Sequence, residues 1–357
     1  VFPALAIAAE LKRLVPDTEF LFVGANGRME MDKVPEAGYR IIGLDVAGFQ
    51  RRLTAQNLLF PFRLLSSLLK AWRVVQAFRP QVAIGTGGYA SGPVLRVAQW
   101  QGIPTVLQEQ NSYPGVTNRL LGKKARKICV AFEGMEQWFP ADRIVLTGNP
   151  VRESIAGAAM PREEALREFD LDPSRKTLFI TGGSLGARVI NEAIAGGLEA
   201  LLATGMQVIW QTGKTYRAAY AALESPRVRV LDFVRRMDAA YAAADWIVSR
   251  AGGTISELCI VGKPVILLPS PNVAEDHQTK NVQALVQRKA AVLVRDAEAA
   301  EKLIPAILQL AADPDASREL SRRIRELARP DATRQIAETV LGLLRPSPET
   351  ATTNARS

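Results

Sequence analysis

An apolar, β-rich run stops at glycine in Leu178-Phe179-Ile180-Thr181-Gly182-Gly183-Ser184-Leu185-Gly186-Ala187-Arg188, and the loop opens straight into a helical pattern at Val189, Ile190, Ala193 and Ile194. Strand, tight turn and helix start within so few residues predict one βα unit of a parallel sheet. The start of such a helix presents backbone N–H groups without intrahelical acceptors, which suits phosphate. A second unit of the same kind follows at Trp246-Ile247-Val248-Ser249-Arg250-Ala251-Gly252-Gly253-Thr254-Ile255-Ser256-Glu257, with an acidic residue in the first helical turn. A phosphate cradle beside a carboxylate able to accept ribose hydroxyls points to a nucleotide-diphosphate ligand.

The strand–loop–helix rhythm runs through the chain. Strands are expected at Glu19–Gly24, Val82–Gly85, Thr105–Gln108, Lys127–Ala131 and Ile144–Thr147, and again at Thr177–Thr181, Gln207–Gln211, Val228–Leu231, Trp246–Ser249, Pro264–Pro269 and Ala291–Val294. Helical patterns between them imply an α/β fold of parallel sheets flanked by helices, with ligands beyond the carboxyl ends of the strands. The 357 residues suffice for two domains, and the boundary is placed near Gly148-Asn149-Pro150-Val151-Arg152. The stretch Leu320–Leu344 reads as helix interrupted at Pro330, and the Pro/Ser/Thr-rich residues 346–357 as a disordered tail.

Apolar residues make up 48% and charged residues 23%, as in ordinary soluble proteins. No run of 18 apolar residues calls for a transmembrane helix. The chain opens at Val1 inside an apolar helical pattern and is read as lacking its true N-terminus. Cys129 and Cys259 sit in apolar surroundings and are expected as buried core thiols of a reducing compartment. With a single histidine, His277, they offer no metal site. The net charge of +9 is uneven: residues 1–150 hold 18 Lys/Arg against 11 Asp/Glu, a net +7, leaving +2 for the rest. That excess suits nucleic acid, an acidic substrate or an anionic membrane surface.

Each glycine loop has a plain steric rival. Gly182, Gly183 and Gly186 would serve any tight strand–helix turn, although the Ser184 hydroxyl adds a donor for a phosphate oxygen. Gly213-Lys214-Thr215 is no Walker A loop, because Gly205 is misplaced for it. Dinucleotide binding wants a carboxylate about 20 residues on, whereas that strand ends Trp210-Gln211-Thr212-Gly213. Thr254 and Glu257 have the spacing of a capping box, which competes with ribose for the same oxygens. The polar stretch Pro269–Asn281 could read sugar hydroxyls, with His277 as a capping or surface residue. Four glycines in Gly85-Thr86-Gly87-Gly88-Tyr89-Ala90-Ser91-Gly92 exceed the needs of a turn and suggest close approach of another molecule. Glu109 and Asn111 stand at the next strand end. Asp170-Leu171-Asp172 imitates a metal-binding Asp-x-Asp but precedes its strand, so it reads as a turn. Around Pro61, the residues Leu58, Phe60, Phe62, Leu65, Leu69 and Trp72 form a wide apolar arc among Arg51, Arg52, Arg63, Lys70 and Arg73. The excess of apolar side chains beside basic ones fits an interfacial membrane patch.

Taken together these segments resemble the MurG family of bacterial peptidoglycan N-acetylglucosaminyltransferases. The likeness runs over nearly the whole chain, from Val1-Phe2-Pro3-Ala4-Leu5-Ala6 through Gly87–Pro93, Glu109-Gln110-Asn111, Gly148–Arg152, Gly182–Ala187, Arg250–Glu257 and Gln278-Thr279-Lys280-Asn281 to Pro330-Asp331-Ala332-Thr333. It implies a GT-B fold, two Rossmann-like domains with parallel sheets facing a cleft. Residues 1–148, with a returning helix near 331–345, would take the acceptor and the membrane, and residues 149–330 the UDP-sugar donor. The implied activity moves N-acetylglucosamine from UDP-N-acetylglucosamine to the 4-hydroxyl of N-acetylmuramic acid in undecaprenyl-pyrophosphoryl-MurNAc-pentapeptide, lipid I to lipid II. The reaction would invert the anomeric centre and use no metal or cofactor. By the same likeness Ser184 contacts the diphosphate, Arg152 the nucleotide, Glu257 the ribose and Val234 the uracil, with Thr254 in the donor set. Gln278 and Asn111 hold the sugar. The acceptor meets Gly87, Gly88, Tyr89 and Ser91, and Trp100 joins the membrane patch. A peripheral seat on the cytoplasmic face of the plasma membrane, partners in a cell-wall or division complex, and no nucleic acid complete the implication.

The family's first glycine loop, ending in a histidine, belongs immediately before Val1, and some members carry histidine where Gln108 stands here. Glu109 is then the best carboxylate to take the acceptor proton. Helix N–H groups, Ser184 and Arg152 would stabilise the departing diphosphate. Two rivals remain: a UDP-N-acetylglucosamine 2-epimerase on the same fold, and a non-catalytic, membrane-associated UDP-sugar-binding fragment.

Overall fold

Runs of apolar residues buried on both sheet faces set the architecture, as parallel strands covered by helices require. The computed structural model describes residues 1–46, 60–157, 160–273 and 276–344. The chain forms two compact units, Val1–Pro150 joined by the segment from Asp331, and Val151–Pro330.

The first unit begins α1 (Phe2–Leu14), β1 (Leu21–Ala25), α2 (Glu30–Glu36), β2 (Arg40–Leu44) and α3 (Phe60–Phe78). It continues β3 (Ala83–Gly85), α4 (Ser91–Trp100), β4 (Thr105–Glu109), α5 (Val116–Gly122), β5 (Lys127–Val130) and β6 (Ile144–Leu146). Its strands fall into two parallel groups, the pair β1-β2 and the four-stranded β3-β4-β5-β6. β2 is absent from the sequence expectations: its apolar run, Ile41-Ile42-Gly43-Leu44, is short and only Leu44 is fully buried. The other strands appear where expected, with ends shifted by up to two residues.

The second unit comprises α6 (Glu153–Ala156), α7 (Arg162–Arg167), β7 (Thr177–Thr181), α8 (Arg188–Ala203), β8 (Gln207–Gln211), α9 (Arg217–Tyr220), β9 (Val228–Leu231) and α10 (Met237–Ala243). Next come β10 (Trp246–Arg250), α11 (Thr254–Val261), β11 (Val265–Leu268), α12 (His277–Gln287), β12 (Val292–Leu293), α13 (Ala299–Ala312) and α14 (Pro314–Glu326). Six parallel strands order as β12-β11-β10-β7-β8-β9. The order reverses between β10 and β7, where Val248 pairs with Ile180. Such a reversal opens a crevice beyond the strand ends. Leu178, Ile180, Val208, Trp210 and Val248 pack with α8 residues Ile190 and Ile194 and α13 residues Leu303 and Ile307 in one core.

The last helix, α15 (Ala332–Gly342), returns to the first unit. Ile336, Ala337 and Val340 bury against Ile7 and Leu11 of α1, Val106 of β4 and Cys129 of β5. Both cysteines are buried free thiols, pushed up to about 12 chiefly by burial. No helix among the described residues is long and apolar enough to cross a membrane.

Candidate functional site

Both glycine loops of the second unit lie at the reversal, one after β7 and one after β10. In the first, packing forces two of the three glycines. A Cβ on Gly182 would stand 2.4 Å from the Ala187 nitrogen, and one on Gly186, at φ +76°, 1.9 Å from the Thr212 carbonyl. Gly183, at φ +81°, faces open space. The backbone can therefore be approached from outside at Gly183, immediately before the exposed Ser184 and the first turn of α8. The first N–H groups of that helix have no acceptor within it.

Gln211 fixes this loop. Its buried Nε2 donates to Thr181 Oγ1 (3.1 Å) and to the Gly183 carbonyl (2.9 Å), while its Oε1 accepts from the Val234 N–H (2.8 Å). One side chain thus ties this glycine loop to the segment after β9, and Val234 is nearly fully buried. Asn191 supports it from α8: Nδ2 donates to the Thr212 carbonyl and Oδ1 accepts from Trp210 Nε1. Neither residue is among the sequence candidates. The available signal is a polar side chain ending an otherwise apolar strand, at the place where a dinucleotide fold would put a carboxylate.

The capping box does not form. Gly253 is the cap residue of α11, and Thr254 Oγ1 donates back to the Arg250 carbonyl (3.2 Å). Glu257 turns inward instead, 7% exposed. Its Oε2 accepts from the hydroxyl of the buried Tyr241 (3.1 Å), and Oε1 lies 3.5 Å from Arg152 Nε. Burial raises the Glu257 pKa, and the Arg152 charge and the Tyr241 hydrogen bond pull it part of the way back. A carboxylate offers about four lone-pair sites, so Oε1 keeps room for hydroxyl donors. Gln278, at the start of α12, accepts from the Ser270 N–H (2.8 Å), and its Nε2 lies near Gly252. Arg250 pairs with Asp296 and donates to the Leu268 carbonyl (3.1 Å), which makes it a brace between strand ends. The structure thus brings Gly182, Gly183, Gly186, Ser184, Arg152, Val234, Thr254, Glu257 and Gln278 to the carboxyl-end rim of one sheet.

The first unit has its own arrangement. Gly87 and Gly88 adopt φ of +87° and +84°, and a Cβ added at either would meet nothing within 4 Å, so conformation rather than crowding demands glycine. Ser91 Oγ donates to the Gly87 carbonyl (2.6 Å), and Tyr89 is exposed. Gln110 Nε2 donates to the Thr86 carbonyl (2.9 Å) and Asn149 Nδ2 to the Gln110 carbonyl (3.0 Å); Asn149 Oδ1 accepts from Gln108 Nε2 (2.7 Å).

Glu109, expected as the base, is 3% exposed. Its Oε1 accepts from the Asn111 N–H (3.0 Å) and Nδ2 (3.3 Å), and its Oε2 from Asn118 Nδ2 (2.7 Å). Burial raises its pKa, while those amide donors and the Gln110 N–H lower it. Both oxygens accept from neighbouring amides, which ties the carboxylate to the Asn111 loop.

Of the apolar arc, Leu58, Arg51 and Arg52 lie outside the described residues, as do the side chains of Phe60, Phe62 and Arg63. On α3, Leu65, Leu69 and Trp72 are 56%, 54% and 44% exposed, while Ala71 and Val75 are buried. Trp100 is exposed at the end of α4. The Asp170–Asp172 segment is a turn: Asp172 Oδ1 accepts from Ser174, and no metal-holding group of His, Cys, Asp and Glu occurs among the described residues. The expected tail at 346–357 lies outside the described residues.

Residues 1–130 match the glycosyltransferase family 28 N-terminal domain, and residues 177–336 the glycosyltransferase family 28 C-terminal domain. The chain belongs to glycosyltransferase family 28. A Bacteroides fragilis protein named UDP-N-acetylglucosamine--N-acetylmuramyl-(pentapeptide) pyrophosphoryl-undecaprenol N-acetylglucosamine transferase is 55% identical over 92% of this chain and 88% of its own. A protein of the same name from Flavobacterium psychrophilum is 53% identical over 92% and 90%. Among solved structures, Acinetobacter baumannii MurG superposes with a TM-score of 0.78 at 26% identity, covering 96% and 95% of the two chains. A Neisseria meningitidis UDP-GlcNAc 2-epimerase superposes at 0.66 with 16% identity, covering 95% and 96%. The latter likeness is one of fold. For this family member the expectation of a GT-B glycosyltransferase fold holds, with the first-half sheet in two pieces.

Proposed function

We propose that this family 28 protein transfers N-acetylglucosamine from UDP-N-acetylglucosamine to the 4-hydroxyl of N-acetylmuramic acid in undecaprenyl-pyrophosphoryl-MurNAc-pentapeptide, forming lipid II from lipid I. More than half identity to transferases named for that reaction supports the acceptor and donor. The observation that carries the site is the open backbone at Gly183–Ser184 together with the buried Glu257, paired to an exposed Arg152, on the two loops that flank the strand reversal. The diphosphate lies on the first turn of α8 and the Ser184 hydroxyl, and Glu257 Oε1 accepts the ribose hydroxyls. Val234 borders the uracil, with Gln278 on the sugar.

The acceptor hydroxyl attacks the anomeric carbon as the bond to the UDP oxygen breaks, inverting the centre, and its proton passes to solvent water. The bonding electrons move onto the diphosphate. Preformed N–H donors and the Arg152 guanidinium receive that charge without reorganising. Glu109 acts here as a positioning residue for Asn111. The exposed Leu65, Leu69 and Trp72 beside Lys70 and Arg73 give the first unit a peripheral seat on an anionic membrane surface, which the reading puts on the cytoplasmic face.

Turnover of lipid I with UDP-N-acetylglucosamine tests the reading, with donor titration by calorimetry alongside. Lipid II and UDP should form in equal amounts, and Glu257→Ala should weaken donor binding about 10–100-fold. Release of a free 2-epimer, or donor binding indifferent to Ser184→Ala and Glu257→Ala, would overturn it.

A further inference from the structure

The second unit carries a cationic groove at the opposite ends of its strands. Lys176 precedes β7, Asp245 precedes β10 and Lys263-Pro264 precede β11, so these residues line the amino edge of the sheet. With strands of five residues at about 3.3 Å per residue, that edge is roughly 17 Å from the glycine loops. The groove is open to solvent, with a volume of about 910 Å³, and α14 forms one wall. Trp246, Pro264, Ala311 and Pro314 supply apolar walls, and Arg318, Arg322 and Arg325 line it from α14.

Its charges do not balance locally. Asp245 is already taken by Lys176 (2.8 Å) and Arg162 (3.1 Å). Arg318 is paired to Asp315, and Arg322 to Glu319 and Glu326. Lys263 and Arg325 have no carboxylate within ion-pair distance among the described residues. Lys263 is half-buried, and its pKa is lowered first by that burial. Asp245 pulls it back up, against repulsion from Arg162, Arg325 and Lys176. The Arg325 stem crosses Gly262, where a side chain would strike its Nε, Cγ and Cδ, so the glycine makes room for the stem of a groove-lining guanidinium. Holding a half-buried ammonium among like charges costs free energy that a bound anion would recover.

We propose that this groove binds a phosphate-bearing anion, at a site separate from the glycine loops. Guanidinium and ammonium groups together favour phosphate oxygens, and the space admits a ligand as large as a nucleotide. Ser321 lines the same groove and adds a hydroxyl.

Pyrophosphate titrated into the intact protein by calorimetry at low salt is the first probe. Binding should persist in Ser184→Ala/Arg152→Gln, weaken about tenfold or more in Lys263→Gln/Arg325→Gln, and tighten in Glu326→Gln, which removes a lining carboxylate. The gain in Glu326→Gln does not depend on a damaged variant staying folded. A second arm compares phosphatidylcholine vesicles with and without phosphatidylglycerol. Affinity for anionic vesicles that falls in Lys263→Gln/Arg325→Gln, without pyrophosphate binding, assigns the phosphate to a lipid headgroup. Pyrophosphate binding without that fall assigns it to a soluble ligand. If neither probe responds to these substitutions, or if pyrophosphate binding vanishes in Ser184→Ala/Arg152→Gln, the proposal fails.

Discussion

Each unit places a glycine loop and a buried carboxylate near the carboxyl ends of parallel strands, yet the two pairs are built differently. In the second unit Gly182 and Gly186 are wedged against backbone, and Glu257 faces a cation. In the first unit Gly87 and Gly88 stand in open space, and Glu109 is held only by amides. The same residue types thus answer two demands. Gly182 and Gly186 are glycine because their own chain crosses them; Gly87 and Gly88, like Gly183, are glycine because the backbone takes a left-handed path.

The sharpest break in that comparison is Gly186→Ala. Its Cβ would overlap the Thr212 carbonyl, which is backbone and cannot swing away. The expected loss is about 4 kcal/mol, read as a collapsed unfolding midpoint in urea. A midpoint near that of the unaltered protein would mean that the loop relaxes freely, and the wedged-loop account would be wrong.

Gln211→Leu comes next. It keeps the volume but leaves the Val234 N–H and the Gly183 carbonyl without their partner. Stability should drop by about 2 kcal/mol, and donor KM should rise with kcat less affected, since the glycine loop and the segment at Val234 come loose together. A change in kcat alone would assign Gln211 to the chemistry instead.

The carboxylates differ in pH response. Both have folded pKa values raised chiefly by burial, so each contributes stability that is complete below its unfolded pKa and lost as pH rises through the folded value. Arg152→Gln removes the charge that lowers the Glu257 pKa, so the loss of stability on going from acid to neutral pH should steepen. Glu109→Gln should flatten it, since no titrating group remains at that site. If Glu109 were the base, Glu109→Gln would also abolish the acid limb of the kcat/KM profile; as a positioning residue it should preserve that limb while raising KM.

Much of this is legible in the chain. Fully buried parallel strands are written as unbroken apolar runs, as in Leu178-Phe179-Ile180, and such runs mark nearly every strand. β2 escapes because its short run is mostly half-buried. At the site, glycine spacing marks the loops and their position. What the sequence could not give is the direction of side chains. Thr254 and Glu257 have capping-box spacing, but Tyr241, sixteen residues upstream of Glu257, takes the carboxylate oxygen instead. Glu109 reads as an unpartnered carboxylate because Asn118, nine residues on, becomes its partner only when α5 folds back beside β4. Local spacing describes what a residue can reach along its own helix, whereas these partners arrive from other elements.

The smallest expected effect separates the two loops most cleanly. Gly88→Ala meets no atom within 4 Å, so its cost is the left-handed backbone alone, about 1 kcal/mol. Gly183→Ala carries the same φ penalty in equally open space, and the stability losses of the two variants should match. Their functional effects should not. On the proposed placement of the diphosphate a methyl group at Gly183 would stand in its path, so UDP binding should weaken by about tenfold or more. Gly88→Ala should leave UDP binding unchanged and act only on the acceptor, as a rise in its KM. Equal UDP affinities in the two variants would show that open space at Gly183 is no more a ligand site than open space at Gly88, and would remove the structural ground for putting the diphosphate there.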